Sequence, residues 1–207
     1  MVQVFIEAKR VETPEGMFLE TLIRRFVPDH QDYIINAVNG WTNLCEVASV
    51  MVMRSNVLLG GKNLVVFDAD TKENGGGYEK RLAVLKDSLA ANKCEADIFL
   101  WPDNHSDGTV EDLMLDVARK DLHSVFFDCF GDYEMCIKGV KNADGKQVYH
   151  APDKKAKAFT YISSMPLTNS QRRHLGRGEW LFANPNYWDL DSERLESIDS
   201  FLCQGLK

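Results

Sequence analysis

Four acidic residues stand at places where an apolar run gives way to polar residues. Glu7 follows Val2-Gln3-Val4-Phe5-Ile6, Asp68 and Asp70 follow Leu64-Val65-Val66-Phe67, and Glu111 lies in Thr109-Val110-Glu111, shortly after the run Asp97 to Trp101. Each has a bland reading: Glu7 as a strand-end surface charge, Asp70 as a loop residue, Thr109 as the cap of the next helix. Brought together they have a sharper one. Two carboxylates about 4 Å apart repel by roughly 4 kcal/mol at an effective dielectric near 20, so a cluster of them needs cations. No His or Cys accompanies these motifs, and hard oxygen ligands select Mg²⁺, Mn²⁺ or Ca²⁺ over zinc. Mg²⁺ or Mn²⁺ is therefore the expected cofactor.

The elements that must position these residues follow from hydrophobic period. Val2 to Ile6 is a β-branched and aromatic run, and Phe18, Leu19, Leu22, Ile23 and Phe26 recur at helical spacing until Pro28. Tyr33 to Val38 is a second strand ended by Asn39-Gly40, followed by a Val- and Met-rich helix over Leu44 to Leu59. Leu64 to Phe67 is a third strand, apolar enough to be buried on both faces. A Gly75-Gly76-Gly77 loop leads to a helix from Tyr78 to Ala91, and Asp97 to Trp101 is the fourth strand. Strands alternating with helices imply βαβ units and a doubly wound, mainly parallel four-stranded sheet of the α/β class. In such a sheet ligands bind outside the carboxyl ends of the strands, where the acidic residues fall.

Beyond Glu111 the pattern becomes helical, over Leu113 to Lys120, Val125 to Lys138, Lys154 to Ser164 and Ser192 to Leu202, with a turn at Asn142-Ala143-Asp144-Gly145. No linker divides the chain. With 207 residues and 44% hydrophobic content, residues 1–207 are expected to form one domain, with a core over about 2–120 and a helical C-terminal extension over about 121–207.

The net charge of −7 argues against a general nucleic-acid-binding surface, so any such role needs metal ions and a local basic patch. Arg172-Arg173-His174-x-x-Arg177 is the one dense basic run, and either meets phosphates through Arg172, Arg173 and Arg177 or forms a solvated loop. Asn74-Gly75-Gly76-Gly77 either makes a backbone nest for an anion or simply lets the chain turn; without a P-loop Lys it is not a nucleotide-binding motif. His105 and the four tryptophans have packing or loop roles as their plain reading. Five cysteines without paired spacing fit reduced thiols, no window is long and apolar enough to span a membrane, and no signal sequence precedes the first strand, which places the chain in the cytoplasm.

An apolar strand ending in Glu7, Gly40 after strand two, and Asp68-Ala69-Asp70 after strand three resemble, in this order, the TOPRIM domain of topoisomerases, primases and OLD-type nucleases. Thr109-Val110-Glu111 is similar to the Ser-x-Glu element of the OLD-like branch, so the resemblance spans about residues 2–120. The C-terminal segments Lys155-Ala156-Lys157-Ala158-Phe159 and Tyr187-Trp188-Asp189-Leu190 look like those of small stand-alone TOPRIM-like proteins. The chain departs from the family pattern where Ala8 follows Glu7 and Val11 occupies the position of a further acidic residue, with Glu12 or Glu15 as substitutes.

The resemblance implies metal-dependent phosphodiester cleavage. Glu7 and Asp68 would hold one ion, Asp70 and Glu111 a second, with Thr109 orienting Glu111 or reaching the metal's solvent shell. Lys155 or Lys157 would stand near the scissile phosphate. It also implies nucleic acid as a partner, with an ATPase or another protein as a further one. Two other readings stay open. One is a non-catalytic TOPRIM-like binding module. The other is a HAD-like phosphatase using Asp68 and Asp70, although that family usually has Thr or Val where this chain has Lys72.

Overall fold

The computed structural model describes residues 1–29 and 32–206. β1 (Val2–Ile6), β2 (Tyr33–Ala37), β3 (Lys62–Asp68) and β4 (Asp97–Trp101) form a sheet in the order β2-β1-β3-β4, every neighbouring pair parallel. Parallel neighbours need long crossovers, supplied by α1 (Pro14–Phe26), α2 (Val47–Leu58) and α3 (Tyr78–Ala91). The result is the doubly wound α/β architecture that the alternating periods predict.

Strand alternation divides the apolar side chains between two layers. Val4, Ile6, Leu64, Val66, Phe99 and Trp101 face the layer that contains α1. Phe5, Val65, Phe67 and Leu100 face the layer of α2 and α3, against Met53, Leu85 and Leu89. The chain leaves β1 for β2 on one side, then returns across β1 to β3 and continues outward to β4. The order of strands thus reverses between β1 and β3, and the crevice opens at their carboxyl ends. Those ends carry Glu7 and Asp68.

α1 begins earlier than its apolar period shows. Thr13 is its N-cap, accepting from the Gly16 amide at 3.3 Å, and Pro14 fills the first helical turn where its missing N–H costs nothing. Glu15 is thereby a helical residue. α2 starts at Val47 because Trp41–Asn43 first make a 3₁₀ turn. A helix at α4 (Val110–Asp116) is shorter than the expected Leu113 to Lys120 and starts three residues before it.

The C-terminal third is built into the same core as the sheet. α5 (Ser124–Lys138), α6 (Lys154–Ser163), α7 (Asn169–Leu175) and α8 (Glu196–Gly205) follow α4. Tyr161, Ile162, Trp180, Trp188, Ile198 and Leu202 are buried in one cluster with Val4, Leu64 and Phe99. The N–H groups of Trp188 and Trp180 are satisfied internally, Trp188 Nε1 donating to the Trp180 carbonyl at 2.9 Å and Trp180 Nε1 to the Leu175 carbonyl at 3.1 Å. A backbone bridge joins Ala118 to Trp188. The expected helical extension is therefore a layer over one sheet face, in which the segment 169–175, read as a possible loop, is a helix. Its ends explain this: Thr168 and Gln171 form a reciprocal capping box that satisfies the first amides.

The loop after α7 rests on the start of α1. Gly178 has φ +83, and a Cβ there would meet the Thr13 carbonyl carbon at 2.4 Å. Gly178→Ala is expected to lower stability by roughly 1–3 kcal/mol through left-handed backbone strain and displacement of the α1 cap. A urea midpoint equal to that of the wild type would contradict the close packing of these segments.

Candidate metal centre

The crevice is filled with carboxylates. Asp68 closes β3 with the same strand parity as Leu64 and Val66, so it projects to the α1 and α4 side of the sheet. There its Oδ1 accepts from the Val110 amide at 2.7 Å, which fixes the first turn of α4 against β3. Glu111 is the second residue of that turn. Glu15 comes to the same place from the first turn of α1.

Glu7 lies between the two sides. The chain leaving β2 wraps around it: the Gly40 amide donates to the Glu7 carbonyl at 2.8 Å, and the Trp41 amide donates to Glu7 Oε1 at 3.3 Å. Asn39 and Gly40 make this turn with φ of +58 and +108, the second a conformation that favours glycine. The glycine after strand two thus has a role that can be stated physically.

Asp70 turns the other way. Its φ is +59, its carbonyl accepts from the Gly108 amide at 2.9 Å, and a Cβ at Gly76 would come within 2.4 Å of its own Cβ. Its carboxylate pairs with Arg81 of α3. Arg81 is only 6% exposed, and its guanidinium carbon lies 4.3 Å from the centre of the Trp41 ring. The acidic residues therefore divide into two groups. Asp68, Glu15 and Glu111 gather on the α1 and α4 side, Asp70 is neutralised on the α3 side, and Glu7 stands between.

Electrostatics follow this division. Burial holds the Glu15 carboxyl up at about 8, helped by the charges of Glu7 and Glu111. Burial also pushes Asp68 well above the usual carboxylate range, with Glu15 and Glu111 adding repulsion. Glu7 is raised by burial too, against the lowering influence of Arg81. Glu7 Oε2 and Glu15 Oε1 are shut off from solvent and have no hydrogen-bond donor. A buried carboxylate oxygen with no donor is costly, and a proton, a cation or a bound water would supply the missing partner.

Among the described residues, no three His, Cys, Asp or Glu side chains are arranged to hold a metal ion as they stand. The Glu side chains have the rotatable bonds to converge, and carboxylates without a counter-ion repel. The donor set itself, oxygen only, suits Mg²⁺ or Mn²⁺.

The other candidate residues separate clearly. Lys155 Nζ stands 3.9 Å from Glu111 Oε1 and is 60% exposed, a cation at the edge of the cluster. Lys157 instead pairs with Glu134 of α5 at 3.1 Å and lies over the Phe130 ring, so it is directed away from the carboxylates. Thr109 is the N-cap of α4, its amide bonded to Asp112 Oδ2 at 2.9 Å in a capping box, which is the plain reading of that residue. Arg172 does not present its guanidinium to solvent alone: it donates to the carbonyls of Ser163 at 3.0 Å and Met165 at 3.2 Å, closing the end of α6. Arg173 is exposed, and Arg177 shares a shallow cleft with Arg10, Glu12, Met17 and Glu179. Glu12 is itself exposed, so of the two substitutes for the further acidic residue only Glu15 joins the cluster. The glycine loop is no empty nest, because Asp107 Oδ1 accepts from the Tyr78 amide at 2.7 Å and occupies the start of α3.

Arg81 was not singled out from the sequence, yet a signal exists: it lies in helical register with Leu85 and Leu89, on the buried stripe of α3. Glu15 has the same signature with Leu19 and Leu22 on α1.

Among the described residues, no helix is long and apolar enough to cross a membrane. Comparisons with protein-family models, with curated proteins and with solved structures find no match to this chain.

Proposed function

We propose that the protein is a divalent-metal-dependent, nuclease-like enzyme of TOPRIM type, in which Glu7, Glu15, Asp68 and Glu111 hold Mg²⁺ or Mn²⁺ at the switch point of the sheet. One observation carries the reading: one buried carboxylate oxygen each of Glu7 and Glu15 lacks a donor, beside two further acidic residues of the same crevice. A cation supplies what these oxygens lack. Further support comes from the order of motifs, with Glu7 after β1, Gly40 after β2, Asp-x-Asp after β3 and Glu111 in the first turn of α4.

When bound, the ion supplies Lewis-acid stabilisation of charge on a phosphodiester and eases ionisation of water. The chain's own residues do the rest. Asp68, tied to the Val110 amide, keeps one oxygen fixed while the other is available to the ion. Glu111 is carried into reach by the same contact. Lys155, at the mouth and largely exposed, is placed to pair with a phosphate oxygen. Charges of this protein repel nucleic acid on average, with a net −7, so the ion and Lys155 must supply the local attraction.

The phosphatase reading is less well supported, because its second aspartate would have to deliver a proton and Asp70 is committed to Arg81. A non-catalytic module shares the metal site and differs in cleavage alone.

Binding tests the site directly. An ion that binds only the folded chain stabilises it by RT ln(1 + [L]/Kd), about 2.7 kcal/mol at a hundredfold excess over Kd. Mn²⁺ at millimolar concentration is expected to raise the melting temperature of the wild type, and Asp68→Ala is expected to lose the rise. An equal rise in both proteins would remove Asp68 from the site, and no rise in the wild type would remove the metal.

A further inference from the structure

We propose that Arg81 is a built-in cation of this centre, so that the site takes a single divalent ion and Asp70 serves as the counter-ion of Arg81 instead of as a metal ligand. The inference rests on the metal reading above and makes it more specific. Four acidic residues beyond Glu7 would ordinarily invite two ions, and the sequence places Asp70 among the ligands of a second. The geometry assigns that place to a side chain.

Arg81 is buried, and arginine does not give up its proton in proteins, so a full positive charge is fixed on the α3 side of the crevice. It is held from two directions, by the Asp70 carboxylate and by the face of Trp41. At Glu7, which burial raises, the lowering influence of Arg81 is opposed by that of Asp70, so the two charges act there as a pair. A divalent ion seated on Asp70 would therefore lie against a cation that neither leaves nor discharges. Nor can Asp70 easily swing to the other group. Its backbone is pinned between Gly76, where no Cβ fits, and Gly108, whose amide bonds its carbonyl at 2.9 Å.

The demand for a cation is found on the opposite side. The donor-less oxygens belong to Glu7 and Glu15, and Asp68 is raised first by burial and then by the charges of Glu15 and Glu111. One ion between Glu7, Glu15, Asp68 and Glu111 answers that demand, and Arg81 answers the charge of Asp70.

Titration of the full chain with Mn²⁺, followed by calorimetry and by loss of the free-ion paramagnetic resonance signal, decides the matter. The wild type is expected to bind one Mn²⁺. The paired variant Asp70→Asn with Arg81→Gln keeps a neutral hydrogen-bonded pair, and is expected to bind one Mn²⁺ with Kd within about threefold of the wild type, since the opposed influences of the two charges on Glu7 are removed together. Asp68→Asn should weaken it by roughly thirtyfold or more, the loss of one charged ligand. Arg81→Gln alone, where circular dichroism shows it folded, should expose Asp70 and bring a second Mn²⁺. Two ions on the wild type, or a paired variant as impaired as Asp68→Asn, would overturn the assignment of Arg81 while leaving the metal centre standing. No Mn²⁺ on the wild type at millimolar concentration would overturn both.

Discussion

Without metal, the protein is expected to lose stability as pH rises from about 4.5 to about 8, and Glu15→Gln is expected to remove much of that loss. The sign follows from the proton balance. Glu15 has an ordinary value of 4.5 and is held at about 8 in the folded chain, so between these values the folded state keeps a proton that the unfolded state has released. Such a group contributes stability that is fully present below the unfolded value and vanishes as pH passes the folded one. The rise corresponds to on the order of 5 kcal/mol for Glu15 taken alone. Asp68 and Glu7 are raised in the same direction and extend the effect. Glutamine keeps the shape and cannot ionise. Urea midpoints at pH 5 and pH 8.5 in the presence of a chelator should therefore differ strongly for the wild type and much less for Glu15→Gln, which should be the more stable of the two at pH 8.5. Saturating Mn²⁺ should flatten the wild-type dependence as well, because the ion takes the place of the proton. A Glu15→Gln protein that falls with pH as steeply as the wild type would mean that Glu15 is ionised and solvated in the folded chain.

The carboxylates of the crevice differ in what their removal does to the fold. For Asp68 or Glu15 the argument from like-charge repulsion holds, since their neighbours are acidic. Asp70 is different: its loss strands Arg81, and breaking a buried pair by removing one partner typically costs about 3–5 kcal/mol. The distinction was not legible in Asp68-Ala69-Asp70 as a string. It depends on a left-handed residue that sends the second carboxylate to the opposite side of the sheet, and on an arginine eleven positions further along the chain.

What could be read from the sequence was set by hydrophobic period. β1, β4 and α3 have the bounds that their apolar patterns indicate, because each is packed on a face that admits only one register. The position of Glu7 and Asp68 follows from this, being a matter of strand ends, whereas that of Glu111 depends on where α4 begins. α7 was hidden because its buried face is a single residue, Leu175, and its stability comes from the Thr168 and Gln171 cap. Glu15 was visible only as a substitute for an acidic residue missing at Val11. Its role requires the loop after β1 to return and present the first turn of α1 to the crevice, a long-range arrangement that no local pattern encodes. Arg81 and Glu15 share a feature that could have found them, a charged residue in step with a buried apolar stripe. Such a residue must have a partner inside the protein.

Purified protein with Mn²⁺ is expected to nick or degrade nucleic acid weakly, and Asp68→Asn is expected to reduce the initial rate by about a hundredfold or more, some 2.7 kcal/mol of lost transition-state stabilisation. Asp68 carries this effect because it is fixed by the Val110 amide at the end of β3, within electrostatic reach of Glu15 and Glu111. Lys155→Ala should cost less, about tenfold, since an exposed lysine meets the phosphate through a flexible stem and in competition with water. Lys157→Ala should leave the rate within about twofold, because its ammonium is held by Glu134 and the Phe130 ring. The ranking separates the readings. Equal losses for the two lysines would mean that the basic face of α6 acts as a whole, and the position of Lys155 beside Glu111 would carry no special meaning. Hydrolysis of an aryl phosphate without cleavage of DNA or RNA, abolished by Asp68→Asn, would favour the phosphatase reading despite the pairing of Asp70. If Mn²⁺ binds at the carboxylates and neither DNA nor RNA is cut, with or without an added ATPase partner, the site is a binding module whose ion serves to neutralise the crevice. In that case the pH dependence of stability and its suppression by Mn²⁺ should persist unchanged, since they require the carboxylates alone.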